Sequence, residues 1–194
     1  MKSVVLLGSV LLLSACGSMQ SQVVKKNVSF DPGIQAQIRS YGSYGSDLIR
    51  IYPETDCAKW EGTKRNAVNR RFVNGLPRKV RNISIGIPPT ELSRKTEKDT
   101  GFVFRDSYRE MVVSANQPVV LDGAFSSQTR NQHYSCRVAA SFTPKAGEAY
   151  EVRYLSEEEG CDIEVYHIGH EEKDGVRQTK KLTANYCAKP GTSF

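Results

Sequence analysis

Alternating apolar and polar residues in the C-terminal third of the chain constrain its fold most. Such runs cover residues 138–142, 150–154 and 161–167, and a further run ends at Tyr186. A period of two places successive side chains on opposite faces of a strand. Turn-forming residues separate the runs, including an Asp174-Gly175 pair of the kind that closes tight hairpins. The pattern therefore predicts short strands in an antiparallel meander.

Earlier parts of the chain show the same period with more interruptions. Ile34, Ala36 and Ile38 alternate with polar residues, and further candidate strands cover 48–52, 83–87, 109–114 and 119–121. Short strands in such number favour an all-β fold, an antiparallel two-layer β-sandwich of transthyretin-like or immunoglobulin-like arrangement. A long irregular insertion around residues 57–100 holds the only Trp and is the expected place for a short helix or a functional loop.

Composition agrees with a single folded domain. The chain has 194 residues, of which 39% are hydrophobic and 25% charged. These values are typical of globular proteins and exclude a wholly disordered chain. The length allows one domain and disfavours two.

The first residues are typical of a secretory signal. Lys2 supplies a positive start, and an apolar run from Val4 to Leu13 follows before small residues. The run is too short to cross a hydrocarbon core, which needs about 20 apolar residues. We therefore expect residues 1–15 to be a signal peptide and not a transmembrane helix.

The segment Leu13-Ser14-Ala15-Cys16 resembles the lipobox of bacterial lipoproteins. The resemblance implies cleavage before Cys16, diacylation of its thiol and acylation of the new N-terminus. Gly17 follows where many inner-membrane lipoproteins carry Asp, which implies lipid anchoring in the outer membrane, on its periplasmic or its external face. A plain secretory signal with a chance cysteine is the alternative. Residues 16–29 are then the lipidated cysteine and a tether, and the domain covers 30–194, starting near Phe30.

Four cysteines remain in the exported domain: Cys57, Cys136, Cys161 and Cys187. An even number in an exported protein indicates disulfide bonds, with three possible pairings. No Cys-x-x-Cys spacing occurs, which disfavours a redox motif or a zinc ribbon. We expect Cys161–Cys187 to join neighbouring strands, and Cys57–Cys136 to join the start of the domain to its middle.

Charge is distributed unevenly along the domain. Residues 57–81 contain eight basic side chains against one acidic, whereas residues 148–174 contain ten acidic against two basic. One interpretation is that the basic stretch binds an anionic glycan or glycolipid of the envelope. The alternative is solvated loops, or a pairing of the two stretches. The candidate anion-binding residues are Lys64, Arg65, Arg70, Arg71, Arg78, Lys79 and Arg81.

Catalytic signatures are sparse, and we expect no enzyme, no metal and no cofactor. His167 and His170 would point to opposite faces of a strand, so a shared metal would require a turn. Ser126 and His133, with Asp122 just before them, suggest a hydrolase, but no nucleophile motif surrounds the serine. A nucleic-acid partner is not expected because no nucleic-acid-binding motif is present.

Three functions follow from these features. The leading hypothesis is a non-enzymatic outer-membrane lipoprotein that docks a protein partner as an accessory component of an envelope, secretion or surface assembly. The second is a ligand-binding or lysozyme-inhibitor-like periplasmic module, since Tyr134-Ser135-Cys136 is similar to a segment of periplasmic lysozyme inhibitors. An envelope hydrolase is the third. The pattern Phe142-x-Pro144-x-x-Gly147-x-x-Tyr150 also resembles small envelope lipoproteins with β-sandwich domains.

Overall fold

A computed structural model describes residues 23–42, 48–63, 66–68, 72–73, 76–77, 81–99, 106–128, 130, 133–157 and 160–193. The strands are β1 (Val23–Lys25), β2 (Gln35–Gly42), β3 (Leu48–Tyr52), β4 (Asn66–Val68), β5 (Phe72–Val73), β6 (Leu76–Pro77), β7 (Asn82–Ser84), β8 (Ser107–Ser114), β9 (Val119–Gln128), β10 (His133–Phe142), β11 (Ala149–Glu157), β12 (Gly160–Lys173), β13 (Val176–Leu182) and β14 (Asn185–Ser193). One helix, α1 (Glu91–Lys98), lies among the described residues.

Two packed sheets form a sandwich. One has seven strands in the order β1-β7-β8-β2-β11-β12-β13, and the other has five in the order β14-β10-β9-β3-β4. The predicted all-β two-layer sandwich is confirmed. The predicted antiparallel arrangement does not hold throughout, because among the described strands β1–β7, β7–β8 and β2–β11 pair in parallel. Alternation along a strand carries no information about the direction of its neighbour, so the sequence could not predict these pairings.

The core lies between the two sheets and follows the alternation. Ala36 and Ile38 on β2 face it, as do alternate residues of β10, β11 and β12. Side chains at its centre, including Ile38, Leu121, Val138, Val152 and Val165, have no solvent-exposed area. Each such side chain stabilises the fold by about 1.5–3 kcal/mol through burial of apolar area.

Two disulfide bonds are present, and the predicted pairing is wrong. Cys136 on β10 pairs with Cys161 on β12, and Cys57 pairs with Cys187 on β14. The prediction paired cysteines by the order of their strands along the chain, whereas packing places β10 of one sheet against β12 of the other. The first bond therefore links the two sheets. The second fastens the loop after β3 to the edge strand β14.

Residues near the N-terminus differ from expectation at two points. β1 pairs in parallel with β7, so residues assigned to the tether form the edge of the seven-stranded sheet. Ile34, predicted to face the core, precedes β2 and is exposed. The irregular insertion contains α1, which confirms the expected short helix. Within the described residues, no helix is long and apolar enough to span a membrane.

Candidate functional site

A polar cleft lies on the outer face of the seven-stranded sheet, between α1 and the β12–β13 hairpin. We call it the outer-face cleft, and its volume is about 350 Å³. That size is within the usual range for small-ligand sites. Its lining residues are Thr90, Glu91, Leu92, Lys95, Glu151, Arg153, Tyr166, Val176, Arg177, Gln178 and Thr179.

The register of three neighbouring strands creates a buried charge triad beneath this cleft. Arg39 on β2 lies opposite Glu110 on β8 and opposite Glu151 on β11. Its Nε donates to Glu110 Oε1 at 2.9 Å, and its Nη1 donates to Glu151 Oε1 at 3.0 Å. All three residues are at most 3% exposed. The triad therefore contains one more carboxylate than cation, and it is largely buried.

Arg39 and Glu110 have their hydrogen-bonding capacity filled by other partners. Arg39 Nη2 donates to the carbonyl oxygens of Ile87 and Pro88. Glu110 Oε2 accepts the Ser84 hydroxyl and three backbone N–H groups between residues 85 and 87. Burial alone would lower the pKa of Arg39, but the Tyr41 hydroxyl and the two carboxylates outweigh it and raise the pKa above its usual range. Glu151 is the remaining member of the triad.

Glu151 uses only one of its carboxylate oxygens in the described structure. Oε1 accepts from Arg39, from the Tyr41 hydroxyl at 2.5 Å and from Thr90 Oγ1 at 2.5 Å. Burial, followed by the charge of Glu151, raises the pKa of Tyr41 above its usual range, so Tyr41 is a neutral donor. Oε2 accepts no hydrogen bond within the part of the chain that the structure describes. An unfilled carboxylate oxygen at the bottom of a cleft is a ready acceptor for a ligand.

The cap of α1 positions the third donor. Thr90 is the N-cap residue, and its side chain accepts from the backbone N–H of Ser93 while the Ser93 hydroxyl accepts from the Thr90 N–H. This capping box fixes the start of the helix. Because the same Thr90 hydroxyl donates to Glu151, the helix is held against the buried triad.

The hairpin of β12 and β13 closes the other side of the cleft. The Arg177 N–H donates to the Pro89 carbonyl at 2.8 Å, and Arg94 on α1 donates to the Gly175 carbonyl at 2.7 Å. Gly175 has a φ of 72°, a conformation that glycine adopts without the steric cost of a Cβ. The turn at the hairpin tip therefore lets the tip approach the helix.

A second charge cluster lies beside Glu151 on the same face. Glu164 accepts from Arg153 Nε at 2.5 Å and from Lys181 Nζ at 2.6 Å, and Tyr166 also donates to it. Burial alone would raise the pKa of Glu164, but these hydrogen bonds outweigh it and lower the pKa. This cluster has one more cation than carboxylate. Among the described residues, Arg153 Nη1 has no acceptor, and Arg153 lines the cleft.

Most of the predicted anion-binding residues cannot be placed. Lys64, Arg65, Arg70, Arg71, Arg78 and Lys79 lie outside the described residues, and Arg81 is exposed just before β7. In the part of the chain that the structure describes, carboxylates of residues 148–174 pair with basic side chains from β2, β11, β12 and β13. None of these ion pairs involves the basic stretch at 57–81.

The two histidines predicted to face apart approach one carboxylate. Glu148 Oε2 lies 2.6 Å from His167 Nε2 and 3.7 Å from His170 Nε2. An irregular register between Ile168 and Glu172 turns the strand between them. The bond with His167 lowers the pKa of Glu148. No group of three or more metal-ligating side chains occurs within the described ranges.

The residues of the hydrolase hypothesis are separated. Ser126 Oγ lies 3.1 Å from His133 Nε2 at an exposed position. Asp122 is fully buried on the outer face of the five-stranded sheet, where it accepts from Arg50 and Arg137. The described structure therefore does not join these three residues into a triad.

Sequence reasoning missed the site because its residues lie on three distant strands. One signal was present: Arg39 and Glu151 each occupy the middle of a strand that is otherwise strongly apolar on its inner face. Alternation assigned them to a solvent face, and only the three-dimensional course of α1 covers that face. No family model, curated protein or solved structure matches this chain.

Proposed function

We propose that this protein is a lipid-anchored outer-membrane protein whose sandwich acts, without catalysis, as a docking component of an envelope assembly. The lipobox ending at Cys16 supports the anchor, since two or three acyl chains give stable membrane attachment. Two disulfide bonds suit an oxidising, exported location. A rigid domain on a membrane tether is well suited to holding a partner at the membrane.

The edge strand β13 is the observation that carries the docking role. β13 is the last strand of the seven-stranded sheet and pairs with β12 on one side. The segment before α1 meets its other side at Arg177, and from Gln178 to Leu182 the described residues supply no further strand there. An edge of this kind can accept an extended segment of another protein as an added strand.

Charge indicates the kind of segment that fits this edge. Lys180 is exposed, and Lys181 is next to it on the opposite face of the strand. Lysines on an edge strand discourage pairing with a second copy, because like charges would meet. They favour an acidic partner instead. We therefore propose an extended acidic segment of an envelope protein as the occupant.

Site-specific photocrosslinking in native envelopes tests this proposal. A photoreactive amino acid at Lys180 is expected to capture one envelope protein through an acidic peptide. The matched control is Lys59, which is exposed on the loop beside the five-stranded sheet, and it is expected to capture none. Equal capture at both positions, or capture only of non-acidic peptides at Lys180, contradicts the proposed surface.

The anchor has its own test. Cys16→Ser is expected to abolish labelling by a palmitate analogue, and to reduce the Lys180 crosslink because the domain is no longer held at the membrane. Persistent label on the variant contradicts the lipoprotein assignment. The undescribed basic residues at 64–79 offer a further proposed contact with an anionic glycan or glycolipid, and that contact should weaken at high salt.

The outer-face cleft favours a second candidate function, a ligand-binding module. The notable feature is the buried Glu151, whose Oε2 is open to a donor within the described structure. The cleft carries both charges, from Glu91 and Glu151 and from Lys95, Arg153 and Arg177. A lysozyme-inhibiting surface would instead be uniformly acidic, so a small polar ligand suits this cleft better.

A further inference from the structure

We propose that the outer-face cleft binds an amino-acid zwitterion, with its ammonium group on Glu151 Oε2 and its carboxylate on Arg153. This inference rests on the second candidate function and is independent of docking at β13. It follows from an unfilled acceptor and an unfilled donor on two residues that line the same cleft.

The acceptor is built for a cation. Glu151 is 3% exposed, and Oε1 is already held by Arg39, Tyr41 and Thr90. Its carboxylate is therefore fixed in position before any ligand arrives. The triad itself contains one more carboxylate than cation. A buried excess charge is costly, and a ligand ammonium group would relieve that cost by pairing with it.

The donor is built for an anion. Arg153 is oriented by two bonds, from Nε to Glu164 and from Nη2 to the Tyr166 hydroxyl at 2.8 Å. Its guanidinium also lies 5.1 Å from the centre of the Tyr166 ring. Nη1 is left without an acceptor among the described residues. Because Lys181 shares Glu164, this cluster has positive charge to offer to a carboxylate.

The two groups leave neighbouring outward positions of one strand. Glu151 and Arg153 are two residues apart on β11 and lie on the same face, so their backbones are about 7 Å apart. An α-amino acid carries its two charges within a few bonds of each other, so one molecule in the cleft can form a charge-assisted hydrogen bond with each group. A ligand with only an amine or only a carboxylate would pair with one of these two residues and leave the other without a partner.

Two sources could supply this chemistry. A free amino acid is one, and the other is a peptidoglycan stem peptide, which presents the same zwitterion at a free amino-acid centre. Isothermal titration calorimetry on the full-length lipidated protein in detergent distinguishes them. The probes are glycine, alanine and meso-diaminopimelate, a stem tripeptide ending in diaminopimelate, and the half-ligands methylammonium and acetate.

We expect at least one zwitterionic probe to bind at least tenfold more tightly than either half-ligand. Tighter binding of the tripeptide identifies the stem peptide as the source of the ligand. Tighter binding of glycine, alanine or free diaminopimelate identifies a free amino acid as the source. Methylammonium binding as tightly as every zwitterion overturns the inference but leaves the ligand-binding function standing. No binding by any probe overturns the inference, and the Lys180 crosslink then reports on docking separately.

Variants locate the binding. Glu151→Gln is expected to weaken zwitterion binding at least tenfold, with circular dichroism as the check on folding. Thr179→Trp leaves the buried triad intact and fills the cleft from exposed β13, so it should also abolish binding. Lys180→Trp is the matched control because Lys180 lies on the opposite face of β13. Unchanged binding in Thr179→Trp overturns the assignment to this cleft.

Discussion

The two outer faces of the sandwich each carry an arginine–carboxylate network, and the two networks are built in opposite ways. On the seven-stranded sheet, one buried arginine serves two carboxylates. On the five-stranded sheet, Asp122 serves two arginines: Oδ1 accepts from Arg137, and Oδ2 accepts from Arg50 and Arg137. Asp122 is fully buried, whereas the side chains of Arg50 and Arg137 are 21% and 51% exposed.

This difference separates a structural network from a candidate binding site. Both oxygens of Asp122 are filled, and the excess positive charge reaches water through Arg137. Glu151 keeps one oxygen unfilled in the described structure, and it belongs to a buried triad with one more carboxylate than cation. The segments that cover the two networks differ as well. Trp60 lies against Arg137 and Tyr52 over the five-stranded sheet, while α1 and the hairpin tip leave a cleft over the other.

The largest expected difference between the networks is in stability. Arg39→Met leaves two buried carboxylates without their cation, and breaking a buried pair in this way costs about 3–5 kcal/mol of unfolding free energy. Arg137→Met should cost about 1 kcal/mol, because the arginine is half exposed and Asp122 retains Arg50. Urea denaturation measures both. Losses that agree within error would remove the distinction between the two faces.

The Cys57–Cys187 bond offers a way to disturb one face only. Cys57→Ala with Cys187→Ala opens a long loop and should lower the unfolding free energy by about 2–4 kcal/mol. Trp60 is the only Trp in the chain, so its fluorescence reports directly on the freed loop and should shift to longer wavelength. Zwitterion binding at the other face should persist. Unchanged Trp60 emission would show that the Cys57–Cys187 bond does not hold the Trp60 loop against the five-stranded sheet.

Acid sensitivity gives a smaller effect. The pKa of Glu164 is lowered in the folded state: burial opposes the shift, and bonds from Lys181, Tyr166 and Arg153 outweigh it. A lowered carboxylate pKa stabilises the fold above the unfolded pKa of about 4.3, and that contribution is lost as pH falls through the folded pKa. Glu164→Gln should therefore show a shallower loss of stability below about pH 4, by up to about 1 kcal/mol. If the melting temperatures of Glu164→Gln and the unsubstituted protein fell equally with decreasing pH, the stabilising role of ionised Glu164 would be contradicted.

Alternation predicted the core side of the sandwich well. Val138, Ala140 and Phe142 face the core as the period of two requires, and so do Cys161, Ile163 and Val165. Burial between two layers is encoded locally, because each strand must present one apolar face.

The pairing of strands with each other, and of cysteines across the sheets, cannot be read from alternation. The disulfide pairing failed because it depends on how the two sheets pack, and the parallel pairing of β2 with β11 gave no signal along the chain. For a related reason, the Glu151 site was not predicted from the sequence. Its polar residues occupy the outward phase of their strands, which is also the pattern of an ordinary solvent-facing surface.

The most direct test of the account is a matched pair of carboxylate-to-amide variants, Glu151→Gln and Asp122→Asn, titrated with the tightest zwitterionic probe. Both substitutions remove one buried negative charge with little change in shape. The account predicts that Glu151→Gln weakens binding at least tenfold, while folded Asp122→Asn binds as the unsubstituted protein does. Equal affinity in the two variants would contradict the claim that the half-filled carboxylate is the binding group.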